Sequence, residues 1–198
     1  MKMESGDRTY PIWLLVNPKY PAIRHYIWTP ILVEIQDRIY RELQTNIDTT
    51  DIYIRYAVTD KRTTSGTFNQ QGIGVTAEVD IFRELINEHK PKIIISFGSL
   101  AFEFLRRVYE IKPRKAIKYW CALNLGHEFE KSIANFDINK VNTIPLLRRL
   151  IESGNFIDGH NYFRWEDNVL ENENYFHYVG TRIAEKLIEN RDSFNIWG

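Results

Sequence analysis

The stretch KIIISFGSLAFEFLRR, Lys92–Arg107, decides the fold. Its first part, Lys92–Phe97, is the strongest strand candidate in the chain, because it is a short apolar run bounded by Pro91 and Gly98. Ser99 then offers a hydroxyl that can cap a helix. Apolar residues follow at helical spacing: Ala101, Phe104, Leu105 and Val108. The pattern predicts a buried parallel strand, a glycine turn and a helix, which is the repeating unit of an α/β protein.

Strands and helices alternate on both sides of this unit. Apolar runs predict four more strands, at Ile12–Val16, Ile52–Val58, Ala116–Leu125 and Val141–Leu147. Helical periodicity predicts three more helices. The first is capped by Thr29, followed by Pro30, the second is capped by Thr76, and the third spans Tyr175–Asn190. Because Pro145 cannot donate to a ladder, its strand is expected at an end or an edge of the sheet. We predict a three-layer αβα domain with a mostly parallel central sheet.

The bulk composition narrows the class of protein. The length of 198 residues fits a single α/β domain spanning 1–198. The 26 basic and 26 acidic residues cancel, which disfavours a strong non-specific DNA binder but leaves room for a local basic face. No apolar run reaches the roughly 20 residues of a membrane span, and the N-terminus lacks a signal-peptide core. The lone Cys121 excludes an internal disulfide and any four-cysteine metal site. We expect a cytoplasmic protein that needs no metal and no cofactor.

The carboxyl ends of the predicted strands are where a ligand is expected, because open parallel sheets bind ligands there. Four segments meet this condition: Asn17–Pro21, Arg55–Asp60, Phe97–Ser99 and the residues after Val141–Leu147. In a doubly wound sheet these segments converge on one site.

The same strand ends carry a resemblance to the uracil-DNA glycosylase superfamily. LLVNPKYP, which begins at Leu14, resembles the G-I-N-P-G motif of the mismatch-specific branch, and IYIRYAV lies where the superfamily has its base-recognition strand. HKPKIIISFGSLAFEFL is similar to the Pro-Lys-strand-Leu-Gly-x-x-Ala-helix segment of the bacterial thermostable members. NTIPLLRR occupies the place of the strand that ends in His-Pro-Ser. The resemblance runs from Ile12 to Leu187 and implies that fold, binding of a nucleobase in DNA, and hydrolysis of an N-glycosidic bond.

Carried over to this sequence, the resemblance implies a role for each matching residue. Asn17 would position the water that attacks the sugar C1′, since a neutral amide is a weak base. Arg148 stands at the histidine position and would stabilise the departing base anion as a fixed charge, without proton transfer. The substrate-binding residues that we predict are Pro18, Tyr20, Tyr26, Arg55, Tyr56, Gly98 and Ser99.

The sequence also departs from the superfamily pattern. Leu15 and Lys19 replace the two glycines of G-I-N-P-G, which closes space for a base to approach the backbone. The base-recognition asparagine is replaced by Arg55 or Tyr56, so selectivity for uracil is not expected. The four cysteines of the thermostable members are missing, so we expect no iron–sulfur cluster.

Plainer roles stay open for the same residues. Asn17 can end its strand through an Asx turn, and Tyr20 and Tyr26 can pack their loop on the sheet instead of stacking on a flipped base. Ser99 can cap a helix without binding an anion. Arg106 and Arg107 fit a solvated helix end, where cations complement the dipole. The nucleic-acid contacts that we predict are Arg114, Lys115, Lys118 and Arg149, and the alternative for them is an ordinary solvated surface.

Three functions follow from these observations. The first is a glycosylase-like domain that binds a nucleobase or nucleotide and hydrolyses an N-glycosidic bond in DNA. The second is a non-catalytic module that binds nucleic acid or protein, which the lost histidine and glycines and the neutral charge favour. The third is a protein that binds a small-molecule nucleotide.

Overall fold

The centre of the protein is a sheet whose strands run mostly parallel. The computed structural model describes residues 4–17, 27–59, 68, 73–148, 163 and 174–198. Its strands are β1 (Glu4–Ser5), β2 (Ile12–Val16), β3 (Tyr53–Tyr56), β4 (Ile93–Phe97) and β5 (Asn142–Leu146). Their order in the sheet is β1-β3-β2-β4-β5. The four longer strands pair in parallel, and β1 is added antiparallel at the β3 edge.

Helices cover both faces of this sheet. They are α1 (Thr29–Leu43), α2 (Ile73–His89), α3 (Gly98–Val108), α4 (Ala122–Ala134) and α5 (Tyr175–Glu189), with short 3-10 turns at Ile117–Tyr119 and Arg191–Ser193. The apolar side chains of α1, α4 and α5 pack in one core, and those of α2 and most of those of α3 pack in another, while Phe102 of α3 belongs to the first. The sheet lies between the two cores, which makes the chain an α/β protein compatible with a three-layer αβα arrangement.

Strand β2 is apolar at every position because both of its faces are buried. Ile12, Leu14 and Val16 enter the core shared with α1, whereas Trp13 and Leu15 enter the core shared with α2. All five residues are buried, because successive side chains of a strand point to opposite faces and both faces are covered.

Four of the five predicted strands are present, with ends that differ by up to two residues from the prediction. Pro145 lies in β5 at one edge of the described sheet, as its missing N–H predicted. The predicted strand at Ala116–Leu125 was wrong, because this stretch contains a 3-10 turn and the start of α4. Leu125, Phe129 and Ile133 are the buried face of that helix. A short apolar run has no periodicity that separates a strand from a helix.

The three predicted helix caps were also wrong. Trp28 holds the N-cap position of α1, so Thr29 lies inside the helix, with Pro30 in the first turn. Helix α2 begins at Ile73, three residues before Thr76. Phe97 holds the N-cap position of α3 without a side-chain hydrogen bond. Tertiary contacts of these segments outweigh the small energy of a single cap.

Candidate functional site

The carboxyl ends of β2 and β4 are adjacent at the centre of the sheet. Leu15 pairs with Ser96, so Asn17 and Gly98, each two residues further on, end their strands at the same level. The chain passes from β2 outward to β3 and later from β4 outward to β5, on the other side. The gap between β2 and β4 is therefore the topological switch point, where doubly wound sheets bind ligands.

Gly98 brings Arg148 to this point. The glycine has a φ of +83°, and a Cβ built on it would lie 2.6 Å from Cβ of Arg148. The same added carbon would lie 3.4 Å from Cγ and Cδ of Arg148, so the arginine side chain crosses directly over the glycine. Three residues predicted for the site, Asn17, Gly98 and Arg148, thus lie one or two residues after the ends of three parallel strands, β2, β4 and β5.

Asn17 is 6% exposed, and its position directly after β2 is the predicted one. Leu15, which replaces a glycine of the resembled motif, is buried in the core shared with α2. The expectation that Leu15 crowds the ligand's approach therefore gains no support, because this side chain fills core volume.

Ser99 contributes to the site in a different way from the predicted cap. Its hydroxyl donates to the carbonyl oxygen of Trp120 at 2.6 Å. This bond holds the start of α4 against the first turn of α3. The hydroxyl therefore does not cap α3, and it instead links the first turn of α3 to the segment that ends at Trp120.

The structure separates the two candidates for base recognition. Tyr56 is the last residue of β3, pairs with Val16 and packs on the α1 side of the sheet. Arg55 points to the opposite core, where it lies 3.8 Å from Glu4 and 3.6 Å from Glu78 and 5.4 Å from the Phe82 ring centroid. Arg55 is 7% exposed and belongs to an internal ion cluster, and its predicted contact with substrate stays a prediction.

A buried ionic network under α3 was missed at the sequence level. Glu103 is fully buried and lies 3.5 Å from Arg106 and 3.8 Å from Arg107. Its carboxylate also accepts hydrogen bonds from the Trp120 indole at 2.8 Å and the Lys115 backbone at 3.2 Å. The sequence did contain a signal for this network, because Glu103 is followed by basic residues three and four positions later. That spacing usually indicates ion pairs on an exposed helix face.

Arg106 and Arg107 are consequently not a solvated helix end. Their exposed fractions are 8% and 9%, and they stack over Trp120 and Phe68 at 4.8 and 4.0 Å from the ring centroids. Burial lowers the pKa of Arg107, the Glu103 carboxylate opposes this shift, and nearby Arg114 lowers the pKa further. The sequence predicts these two guanidinium groups at the surface, but both are buried, because the buried carboxylate of Glu103 forms an ion pair with each of them.

The predicted nucleic-acid contacts lie beside α3, outside the strand ends. Arg114 and Lys118 are exposed and Lys115 is half-buried, with its Nζ 4.5 Å from the Tyr119 ring centroid. Four predicted site residues, Pro18, Tyr20, Tyr26 and Arg149, lie outside the described residues.

Within the described ranges, no group of three or more His, Cys, Asp or Glu side chains is arranged to hold a metal ion. No helix in the same ranges has the length and apolar character needed to cross a membrane. The sequence matches no protein-family model, and no curated protein gives a significant match.

Proposed function

We propose that the protein is a divergent relative of the uracil-DNA glycosylases that binds a nucleobase or nucleotide between the carboxyl ends of β2 and β4. Asn17 positions a water molecule there, and Arg148 supplies positive charge to the departing base as the N-glycosidic bond breaks. The leaving base takes the bonding electron pair, the water oxygen forms the new bond at C1′, and the proton passes to solvent or base.

The observation that carries this proposal is the crossing of Gly98 by Arg148 at the level of Asn17. The residue after β2 and the arginine that contacts Gly98 both lie at the switch point, which is the usual ligand position in such a sheet. A fixed cation beside a buried amide suits a ligand that develops negative charge. The resemblance of LLVNPKYP and NTIPLLRR to the superfamily's motif-bearing segments points to the same two residues.

A binding module without chemistry is the second candidate. Its support is the arginine at position 148, because a guanidinium stays protonated and cannot deliver a proton as histidine can. Such a module keeps ligand affinity and loses turnover, so an assay of both separates the two candidates.

The test is an assay of base release with purified protein. Oligonucleotides that contain uracil, a mismatch or a deaminated purine are incubated with the protein, and abasic sites are detected by strand cleavage in alkali. We expect Asn17→Ala to lower the rate of base release by about 10²-fold or more, because the attacking water loses its position. Arg148→Gln is expected to lower it by a similar factor. Arg41→Gln, at a 72% exposed side chain of α1, is the matched control.

Ligand-dependent stability gives the complementary result. Nucleosides and nucleotides that bind the native state raise its melting temperature. Base release that depends on Asn17 and Arg148 supports the enzyme. Stabilisation that depends on both residues without any base release supports the module. If neither is found with any ligand, the proposal is rejected.

A further inference from the structure

The segment Lys112–Trp120 lies along the outer side of α3, antiparallel to it. Near its start, the carbonyl oxygen of Pro113 accepts a hydrogen bond of 2.9 Å from Arg106 in the last turn of the helix. At its end, Trp120 accepts the hydroxyl of Ser99 in the first turn. The segment therefore runs toward the carboxyl ends of the strands and ends beside the candidate site.

This segment carries a cluster of positively charged side chains. Four cations, which we call the basic strip, are Lys112, Arg114, Lys115 and Lys118. No carboxylate of the described residues lies within ion-pair distance of any of them. Most other lysines and arginines in those ranges do pair with a carboxylate. From position 111 to position 127 the sequence contains no acidic residue.

The far end of the strip adjoins a cleft that is also short of negative charge. Lys112 and Arg114 line this cleft together with Arg83 and Arg107. The two acidic residues of the cleft, Asp80 and Glu110, both form ion pairs with Arg83, at 2.7 and 3.5 Å. A protein with no net charge thus has a run of cations here that pair with no carboxylate of the described residues.

An exposed ring stands at the end of the strip nearest the site. Tyr119 is 43% exposed, and its ring contacts Nζ of Lys115 on one side and the Trp120 ring, 5.0 Å away between centroids, on another. A supported aromatic beside a cation is the usual stacking platform for an unpaired base.

We propose that the basic strip binds the phosphate backbone of single-stranded nucleic acid and guides the strand toward the site at Asn17 and Arg148. The strip follows α3, whose 11 residues span about 16 Å, which is long enough to contact several consecutive phosphates of one strand. One line of cations matches one backbone, whereas a duplex presents two. This inference rests on the proposed function for the position of the base, since an unpaired strand offers its bases without the cost of extrusion.

The test measures binding of a labelled single-stranded oligonucleotide over a series of salt concentrations by fluorescence anisotropy. The strip variant carries Lys112→Gln, Arg114→Gln, Lys115→Gln and Lys118→Gln. We expect its affinity to fall about tenfold or more. The slope of log K against log salt should fall by about 3, because each phosphate contact contributes about 0.7. Tyr119→Leu is expected to lower affinity by about tenfold with the slope unchanged, because stacking does not release counterions.

The matched control has the same change in net charge on other surfaces. It carries Arg41→Gln, Lys131→Gln, Lys140→Gln and Arg191→Gln, whose side chains are 59–77% exposed. This control should bind like the wild type. Equal losses in the control and the strip variant would overturn the inference, as would tighter binding of the matching duplex or no binding by the wild type.

Failure of the inference and failure of the proposed function give different results. The strip variant should keep any stabilisation by free nucleotides, because Asn17 and Arg148 are intact. If the strip variant binds the strand like the wild type while Asn17→Ala abolishes base release, only the strip inference is rejected. If the strip variant loses the strand while Asn17 and Arg148 affect no ligand, the strip stands and the proposed function falls.

Discussion

Gly98 holds a backbone φ of +83°, and the side chain of Arg148 occupies the volume where a Cβ would be. Both facts require glycine at this position, the first through backbone strain and the second through close contact. The residue after β4 therefore sets how deeply Arg148 reaches over the switch point. The placement of Arg148 therefore depends on the absence of a side chain at position 98.

Gly98→Ala should destabilise the protein by about 1–3 kcal/mol, since the methyl group adds strain and displaces Arg148. Urea unfolding measures the loss. The double variant Gly98→Ala with Arg148→Gly removes the close contact and leaves the backbone strain, so it separates the two terms. An alanine variant as stable as the wild type would show that Arg148 and the backbone adapt without cost.

Helix α3 is buried along nearly its whole length, including its charged residues. Only Ser99 among Gly98–Val108 is partly exposed. The reason is the segment Lys112–Trp120, which covers the outer side of the helix and is tied to it through Glu103 and Ser99. The polar network thus fixes an element that has little regular structure of its own, and it holds the basic strip in place.

Glu103→Gln should cost about 3–5 kcal/mol of unfolding free energy, because Arg106 and Arg107 would remain buried without their counter-ion. The measurement is chemical denaturation of the variant and the wild type. Glu189→Gln removes an exposed ion pair with Lys186 and should change stability by less than about 0.5 kcal/mol. Equal, small effects of the two substitutions would contradict a structural role for the network.

Helix α5 contacts the segment that leads to the candidate site. Tyr175 is fully buried, and its hydroxyl oxygen accepts a hydrogen bond of 2.8 Å from the backbone N–H of Leu147, the residue before Arg148. Burial raises the pKa of this phenol, so it stays neutral throughout the physiological range. Helix α5 also packs closely on α1, where a Cβ on Gly180 would lie 2.5 Å from Cβ of Glu34.

Tyr175→Phe should destabilise the protein by about 1–3 kcal/mol, because it leaves the Leu147 N–H buried without its acceptor. It should also weaken stabilisation by a bound nucleotide, since Arg148 follows that peptide. Thermal unfolding with and without ligand measures both effects. Tyr40→Phe, at a 52% exposed tyrosine of α1, is the control. A normal ligand response in the destabilised variant would disconnect α5 from the site.

Much of the scaffold was predictable because its signals are local. The run Ile93–Phe97 and the five apolar residues of β2 identify strands buried on both faces. The helix over Tyr175–Glu189 was predicted to within one residue. Helix α4 was missed because its apolar stretch resembles a strand over a short window. The caps were misplaced because tertiary packing outweighs the energy of one hydroxyl.

The sequence by itself determined the α/β class, most of the strands and the edge position of β5, because periodicity and proline chemistry act along the chain. Only the tertiary structure decided that Arg148 crosses Gly98 beside Asn17, that Arg55 serves an internal ion cluster, and that Arg106 and Arg107 are buried. The physical reason is that contacts between residues distant in sequence depend on strand order and register. These decide which charges are paired inside the protein and which remain at its surface.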